Sequence, residues 1–236
     1  MVSPLDNPAW TSLTGPHARF AERHGQLLRY PPDVAPFVAI PDEPDDRLWA
    51  DLSTLVGPGG VVPVTTALTP PAGWEPVERV DAVQLVDDGV VATEDAEAVP
   101  LGPADVPEML ELVARTQPGP FRERTVELGG YLGIRRGGAL VAMAGERMRP
   151  PGWAEISAVC TDPAHRGRGL ATRLVHAVAA GIRARGERPM MHASASNTAA
   201  IRLYESLGFR VRVEVDFVLL RVPSRTAGPA GAAARP

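Results

Sequence analysis

The chain has 236 residues, of which 44% are hydrophobic and 22% charged, with a formal net charge of −4 and a single cysteine, Cys160. That length allows one large domain or two small ones, each able to bury a core. No stretch is long and apolar enough for a transmembrane helix, the N-terminus lacks a signal-peptide pattern, and one cysteine excludes an intrachain disulfide; a cytoplasmic protein is expected.

In chain order, residues 7–28 predict a helix with Trp10, Leu13 and Phe20 buried. A strand over 34–40 follows, demoted to an edge by Pro36, then a helix over 45–56 and strands over 61–68 and 80–86. The acidic, Gly- and Pro-containing stretch 86–102 marks a domain boundary, giving an N-terminal α/β lobe over 1–98 and a second domain over 99–222. The second domain begins with a helix over 103–115. Strands over 131–136 and 139–148 pair through Gly137-Gly138, a strong hairpin signal. An apolar strand from Glu155 to Thr161 runs into a Gly- and Arg-rich loop. The helix after the loop carries Leu170, Leu174, Val178 and Ile182 at i+4 spacing and ends around Arg183–Gly186. A short strand over 189–194 comes next, then a helix over 198–207 capped by Asn197 and closed by Gly208. A last strand over 209–217 alternates valines and Phe217 with Arg212, Glu214 and Asp216. From Pro223 onward the chain is rich in Pro, Ala and Gly without periodicity, which predicts a flexible tail.

Charge is divided unevenly. Residues 1–98 carry 16 acidic side chains and 5 arginines, a net of −11, whereas residues 99–236 carry 12 and 19, a net of +7. The basic half holds the loop H-R-G-R-G-L-A over 165–171, and a Gly-rich loop opening a helix is suited to phosphate: backbone N–H groups converge on the anion and the helix N-terminus adds its dipole. All 24 basic residues are arginine, so a Walker loop, which needs lysine, is excluded. A dinucleotide fingerprint fails because Gly167-x-Gly169 is followed by Thr172 and not by a third glycine. Nucleic acid is disfavoured because no stacking aromatics are interleaved with the arginines.

The pattern that matches is R-x-x-G-x-A across Arg166, Gly169 and Ala171, followed at the right distance by N-T-A-A-I-R-L-Y-E-S-L-G-F from Asn197 to Phe209. Together these resemble the acyl-CoA loop and the N-x-x-A-x-x-x-Y-x-x-x-G-F segment of the GNAT superfamily of N-acetyltransferases. The likeness covers roughly residues 99–222. It implies an α/β (α+β) fold with a mixed central sheet, splayed strands and flanking helices. Residues 1–98 would then be an accessory lobe or a degenerate GNAT-like half, as in the glycine N-acyltransferase-like members. The resemblance also implies acetyl-CoA as co-substrate and an amine as acceptor. Cofactor contacts would come from Val159, Cys160, Thr161, Arg166, Gly167, Arg168, Gly169, Leu170, Ala171, Thr172, Asn197 and Tyr204, with the Val159 N–H near the thioester oxygen.

Acyl transfer to an amine needs a base, a donor for the developing oxyanion and a proton for the departing thiolate. Glu155 is eleven residues before Arg166, the offset of the catalytic glutamate in the founding histone acetyltransferase of the superfamily, and on a regular strand it shares a face with Ser157, Val159 and Thr161. Glu146 is the second candidate base, and an amine deprotonated by solvent the third. Tyr204 is the candidate acid. Asn197 both caps a helix and is placed to contact the cofactor. Cys160 reads as a buried structural thiol, His165 as a solvated turn residue, and His176 and His192 lack partners at metal-ligand spacing, so no metal is expected. The chain is read as a monomer or homodimer. The competing functions are a catalytically silent acyl-CoA sensor or scaffold and an acyltransferase using another acyl-CoA.

Overall fold

The computed structural model describes residues 3–65 and 67–224. Most of the tail expected to be flexible lies outside them.

An eight-stranded mixed sheet organises the molecule. It is built from β4 (Val61–Thr65), β5 (Glu75–Asp87), β6 (Val99–Leu101), β7 (Tyr131–Arg136), β8 (Ala139–Glu146), β9 (Trp153–Thr161), β10 (Arg188–Ser194) and β11 (Phe209–Arg221). Their spatial order is β4-β11-β5-β10-β9-β8-β7-β6, and only β9 and β10 run parallel. Helices α3 (Val106–Thr116), α4 (Leu170–Ala184) and α5 (Thr198–Ser206) pack on this sheet. The stripe Leu174, Val178 and Ile182 of α4 packs into a cluster with Ala142, Ala144, Ala154, Ile156 and Met191. Met109 and Leu112 of α3 pack instead with Phe121, Tyr131, Met143 and Cys160. Side chains alternate across a strand, so Met143 between Ala142 and Ala144 shows that α3 and α4 cover opposite faces.

Strand β9 changes face partway along. Ala154 and Ile156 join the α4 cluster, yet Ala158 and Cys160, of the same parity, join that of α3. The cause is a β-bulge. Pairing with β8 shifts between Met143 and Gly145, and Ala158 takes φ 52°, a left-handed conformation that costs a non-glycine residue about 1 kcal/mol or more. The extra residue turns Val159 toward the α4 cluster. The expectation that Glu155 shares a face with Val159 and Thr161 is thereby corrected: the bulge separates them.

The N-terminal half departs further from its reading. The helix expected over 7–28 is only α1 (Pro8–Leu13), a 3₁₀ turn at Ala18–Phe20, and a hairpin of β1 (Glu22–His24) and β2 (Leu27–Arg29). Gly25 at φ 58° makes the hairpin turn. The strand expected over 34–40 is reduced to β3 (Val38–Ala39), which completes a small sheet with β1 and β2. Helix α2 (Leu48–Val56) lies where expected. The strands β4 and β5, however, belong to the large sheet. β5 is antiparallel to both β10 and β11 and separates them, so the 98–99 boundary divides the chain without dividing the sheet.

Candidate active site

Strands β9 and β10 pair only from Trp153/Arg188 to Glu155/Met190. Beyond that point β9 bonds to β8 alone and β10 to β5 alone, so a gap opens between two strands that began as neighbours. The gap is part of a cleft of about 1720 Å³ that runs past the start of α4 and along α5. Val159, Cys160 and Thr161 line it from β9, and the Thr161 hydroxyl is buried without a hydrogen-bond partner.

At the end of β9, Asp162 caps a 3₁₀ turn by accepting from the Ala164 N–H, and the chain reaches Gly167 and Gly169 at φ 74° and 71°. Only glycine adopts that conformation freely, and a Cβ at either position would meet nothing within 4 Å, so the backbone faces open space. Gly169 is the N-cap of α4 and brings no side-chain cap to its first turn, whose residues Leu170 to Thr172 border the cleft with their N–H groups left without an intrahelical partner. Arg166, Gly167, Gly169, Leu170, Ala171 and Thr172 all border it. This cradle fits a pyrophosphate. Arg168 is the exception among the expected contacts: its guanidinium turns back to the Ala164 carbonyl at 3.5 Å and does not line the cleft.

Helix α5 supplies the opposite wall. Asn197 accepts from the Ala200 N–H at 3.1 Å, the expected cap, and also borders the cleft. About two turns further on, Tyr204 stacks edge-on to Phe209, is buried, and lines the cleft. Burial, with a smaller contribution from Cys160, pushes its phenol up to about 12, so it holds its proton at neutral pH. Cys160 packs in the α3 cluster, and burial raises its thiol as well.

The two candidate bases are both buried in ion pairs. Glu155 is 0% exposed; Arg147 grips it with two hydrogen bonds of 2.6 and 2.9 Å, and the Met148 N–H donates at 3.2 Å. Burial alone would raise its pKa, but the Arg147 charge and hydrogen bonds, aided by His192, outweigh that and hold the carboxyl well below the usual carboxylate range. It does not border the cleft. Glu146 pairs with Arg185 at 2.6 Å, is raised by burial, and does not border the cleft.

The group that does face the cleft is His192, which sequence reasoning left without a role. It stands on β10 two residues past the last pairing with β9, on the face opposite Met191, and its Nδ1 lies 2.8 Å from Glu155 Oε1. A histidine five residues before the helix cap Asn197 is the sequence signal available. Its partner arrives from another strand, a contact that spacing does not encode. The outer wall of the cleft comes from the N-terminal half, through the Leu5–Ala9 segment, Phe37, Ile40, Val64 and Leu68, and from the 116–120 loop. Among the described residues, no cluster of three or more His, Cys, Asp or Glu is arranged to hold a metal.

A profile of the FR47-like protein family matches residues 131–218. The chain is 35% identical over 132 residues to the N-alpha-acetyltransferase RimI of Mycobacterium tuberculosis, a match covering 50% of this chain and 82% of that relative. It is 46% identical over 68 residues to a mycothiol acetyltransferase of Thermobispora bispora, where it spans only 23% of the relative's length. A solved structure from Novosphingobium aromaticivorans, described as a GNAT-family acetyltransferase, superposes with a TM-score of 0.83 at 44% identity, covering 93% of this chain and 98% of that one. An N-acetyltransferase from Kribbella flavida shares the fold at TM-score 0.58 and 19% identity, over 95% of each chain. With the splayed strands, the glycine cradle and this full-length likeness, the chain belongs to the GNAT superfamily of acetyltransferases.

Proposed function

We propose that the protein transfers an acetyl group from acetyl-CoA to a primary amine by direct attack in a ternary complex. The observation that carries this reading is the convergence, in one cleft, of the β9–β10 gap, the uncapped start of α4 and the buried Tyr204 hydroxyl. When bound, acetyl-CoA supplies the activated thioester. The chain's own groups do the rest. The N–H groups at the start of α4, with Arg166, hold the pyrophosphate. The β9 backbone at Val159 and Thr161 pairs with the pantetheine arm, the Val159 N–H serving as oxyanion donor. Tyr204, protonated at neutral pH, gives its proton to the departing thiolate.

The N-terminal lobe is the acceptor side of the site. Its residues wall the cleft away from the loop, and RimI, being named an N-alpha-acetyltransferase, makes an α-amine one acceptor worth testing. A silent acyl-CoA sensor needs the cradle but not a protonated tyrosine beside the thioester position. A screen of amines, amino acids, peptides and aminoglycosides with acetyl-CoA, following thiol release, separates the two. Acceptor-dependent thiol release is the expected result. Tight acetyl-CoA binding with no release above background for any acceptor would favour the sensor.

A further inference from the structure

We propose that His192 is the general base of the transfer, with Glu155 and Arg147 as positioning residues behind it. The inference rests on the acetyltransferase reading and names a group for its proton-abstraction step.

The argument starts from which imidazole nitrogen carries the hydrogen, and the neighbours decide it. Arg212 Nη1 reaches one amide terminus of Gln84 at 2.9 Å, and arginine only donates, so that terminus is the oxygen. The other terminus is then the NH₂ group. It lies 2.9 Å from the Leu5 carbonyl, which only accepts, and 3.2 Å from His192 Nε2. Nε2 therefore receives a hydrogen bond and carries a lone pair. The ring proton sits on Nδ1 and is donated to Glu155 Oε1 at 2.8 Å. Glu155 is the right partner because it remains ionised, gripped by Arg147. A histidine whose back nitrogen donates to a buried carboxylate is held in one orientation and one tautomer, with its other lone pair turned to the cleft.

Location completes the case. The His192 side chain is 14% exposed and borders the cleft where β9 and β10 part. Gln84, Met148 and Leu5 border the same region. The charged and titratable groups around the dyad are Glu155 from β9, Arg147 from the segment after β8, Arg212 from β11 and, paired to Arg212, Asp6 from the N-terminal segment. Tyr30 and Tyr131 lie close enough to influence Glu155 and Arg147, and burial holds both phenols protonated. In the reaction the acceptor displaces the longer contact from Gln84. The amine nitrogen forms a bond to the acyl carbon, the carbon–sulfur bond breaks with its electron pair going to sulfur, and an amine proton passes to His192 Nε2. Tyr204 protonates the thiolate and recovers its proton from solvent, while the imidazolium returns its own to solvent.

The test is His192→Gln in the full chain, using the best acceptor from the amine screen. At pH 7 kcat should fall by about 10²-fold, with the acetyl-CoA affinity unchanged. The base-dependent rise of the parent's kcat/KM with pH should disappear, and the variant should recover rate only where the amine itself becomes neutral. Unchanged kcat with the parent's pH profile would overturn the proposal while leaving the acetyltransferase reading intact. A parent that releases no thiol with any acceptor overturns both together. If the substitution disrupts folding, ¹⁵N-histidine NMR of the parent near neutral pH decides instead. An Nδ1–H tautomer for His192 is expected, and a ring protonated at Nε2 would overturn the assignment.

Discussion

His17 and His192 are held in opposite tautomers by their neighbours. His17 Nε2 is 3.0 Å from the Leu128 carbonyl, which only accepts, so that nitrogen carries the proton, and Nδ1 accepts from the Tyr30 hydroxyl at 3.0 Å. Desolvation lowers the His17 pKa to about 4. The unfolded chain, titrating near 6.5, binds a proton over a range where the folded one does not. Its contribution to stability is therefore complete above about pH 6.5 and is lost as pH falls toward 4. Between pH 7 and pH 5 this amounts to about 2 kcal/mol. Urea unfolding at the two pH values should show His17→Gln losing correspondingly less than the parent; equal losses would show that His17 already titrates normally in the fold. At Tyr204 the prediction concerns rate. Tyr204→Phe keeps the packing on Phe209 and removes the hydroxyl, so kcat should drop by about 10²-fold with acetyl-CoA affinity little changed, and equal turnover would leave Tyr204 a structural residue. The tyrosine and the two glycines were legible in the sequence because they belong to local motifs with fixed spacing. The His192–Glu155 contact was not, since it forms between strands 37 residues apart in the chain.

Local hydrophobic period also predicted the elements of the second half closely, from the 103–115 helix to the last strand. The signal there was strong: long stripes, a Gly-Gly turn, and a cap at each end of α5. The bulge in β9 left no such trace. Ala158 looks like any small residue in an apolar run, yet its positive φ decides which side chains face α4 and thereby takes Glu155 off the face of Val159. The N-terminal elements misled for a related reason. Residues 7–28 carry apolar residues at helix-compatible spacing, but the turn at Gly25 and the packing of Leu13, Phe20, Leu28 and Tyr30 into one small core favour a hairpin. Helix α5 offers a test of an element's two duties. Asn197→Ala removes the cap and should cost about 1 kcal/mol in thermal or urea unfolding. Asn197→Asp keeps a capping oxygen and should retain stability while adding negative charge to the cleft, so acetyl-CoA should bind less tightly. Unchanged affinity in the aspartate variant would restrict Asn197 to capping.

Across the whole molecule, the strand that binds the halves together is β5. It comes from residues 75–87, upstream of everything the family motifs cover, and its ladder joins β10 to β11. A fragment beginning at residue 99 would leave both strands with unpaired edges and would lose the N-terminal wall of the cleft. Such a fragment should lack a cooperative thermal transition; a sharp transition near that of the full chain would show that the second half folds alone. The cleft belongs to this assembled sheet, with the glycine cradle at one end of the β9–β10 gap and the His192–Glu155 pair at its root. The proposed function requires the cradle to take the pyrophosphate of acetyl-CoA, and calorimetric titration reads that binding. The parent should bind acetyl-CoA. Gly169→Glu should bind at least about tenfold more weakly, since a like charge at the helix N-terminus costs on the order of 1 kcal/mol before the side chain's bulk is counted. Gly169→Asn, which tolerates the left-handed backbone without adding charge, should lose less. Equal affinity in the parent and a folded Gly169→Glu variant would mean that the pyrophosphate does not sit in the cradle.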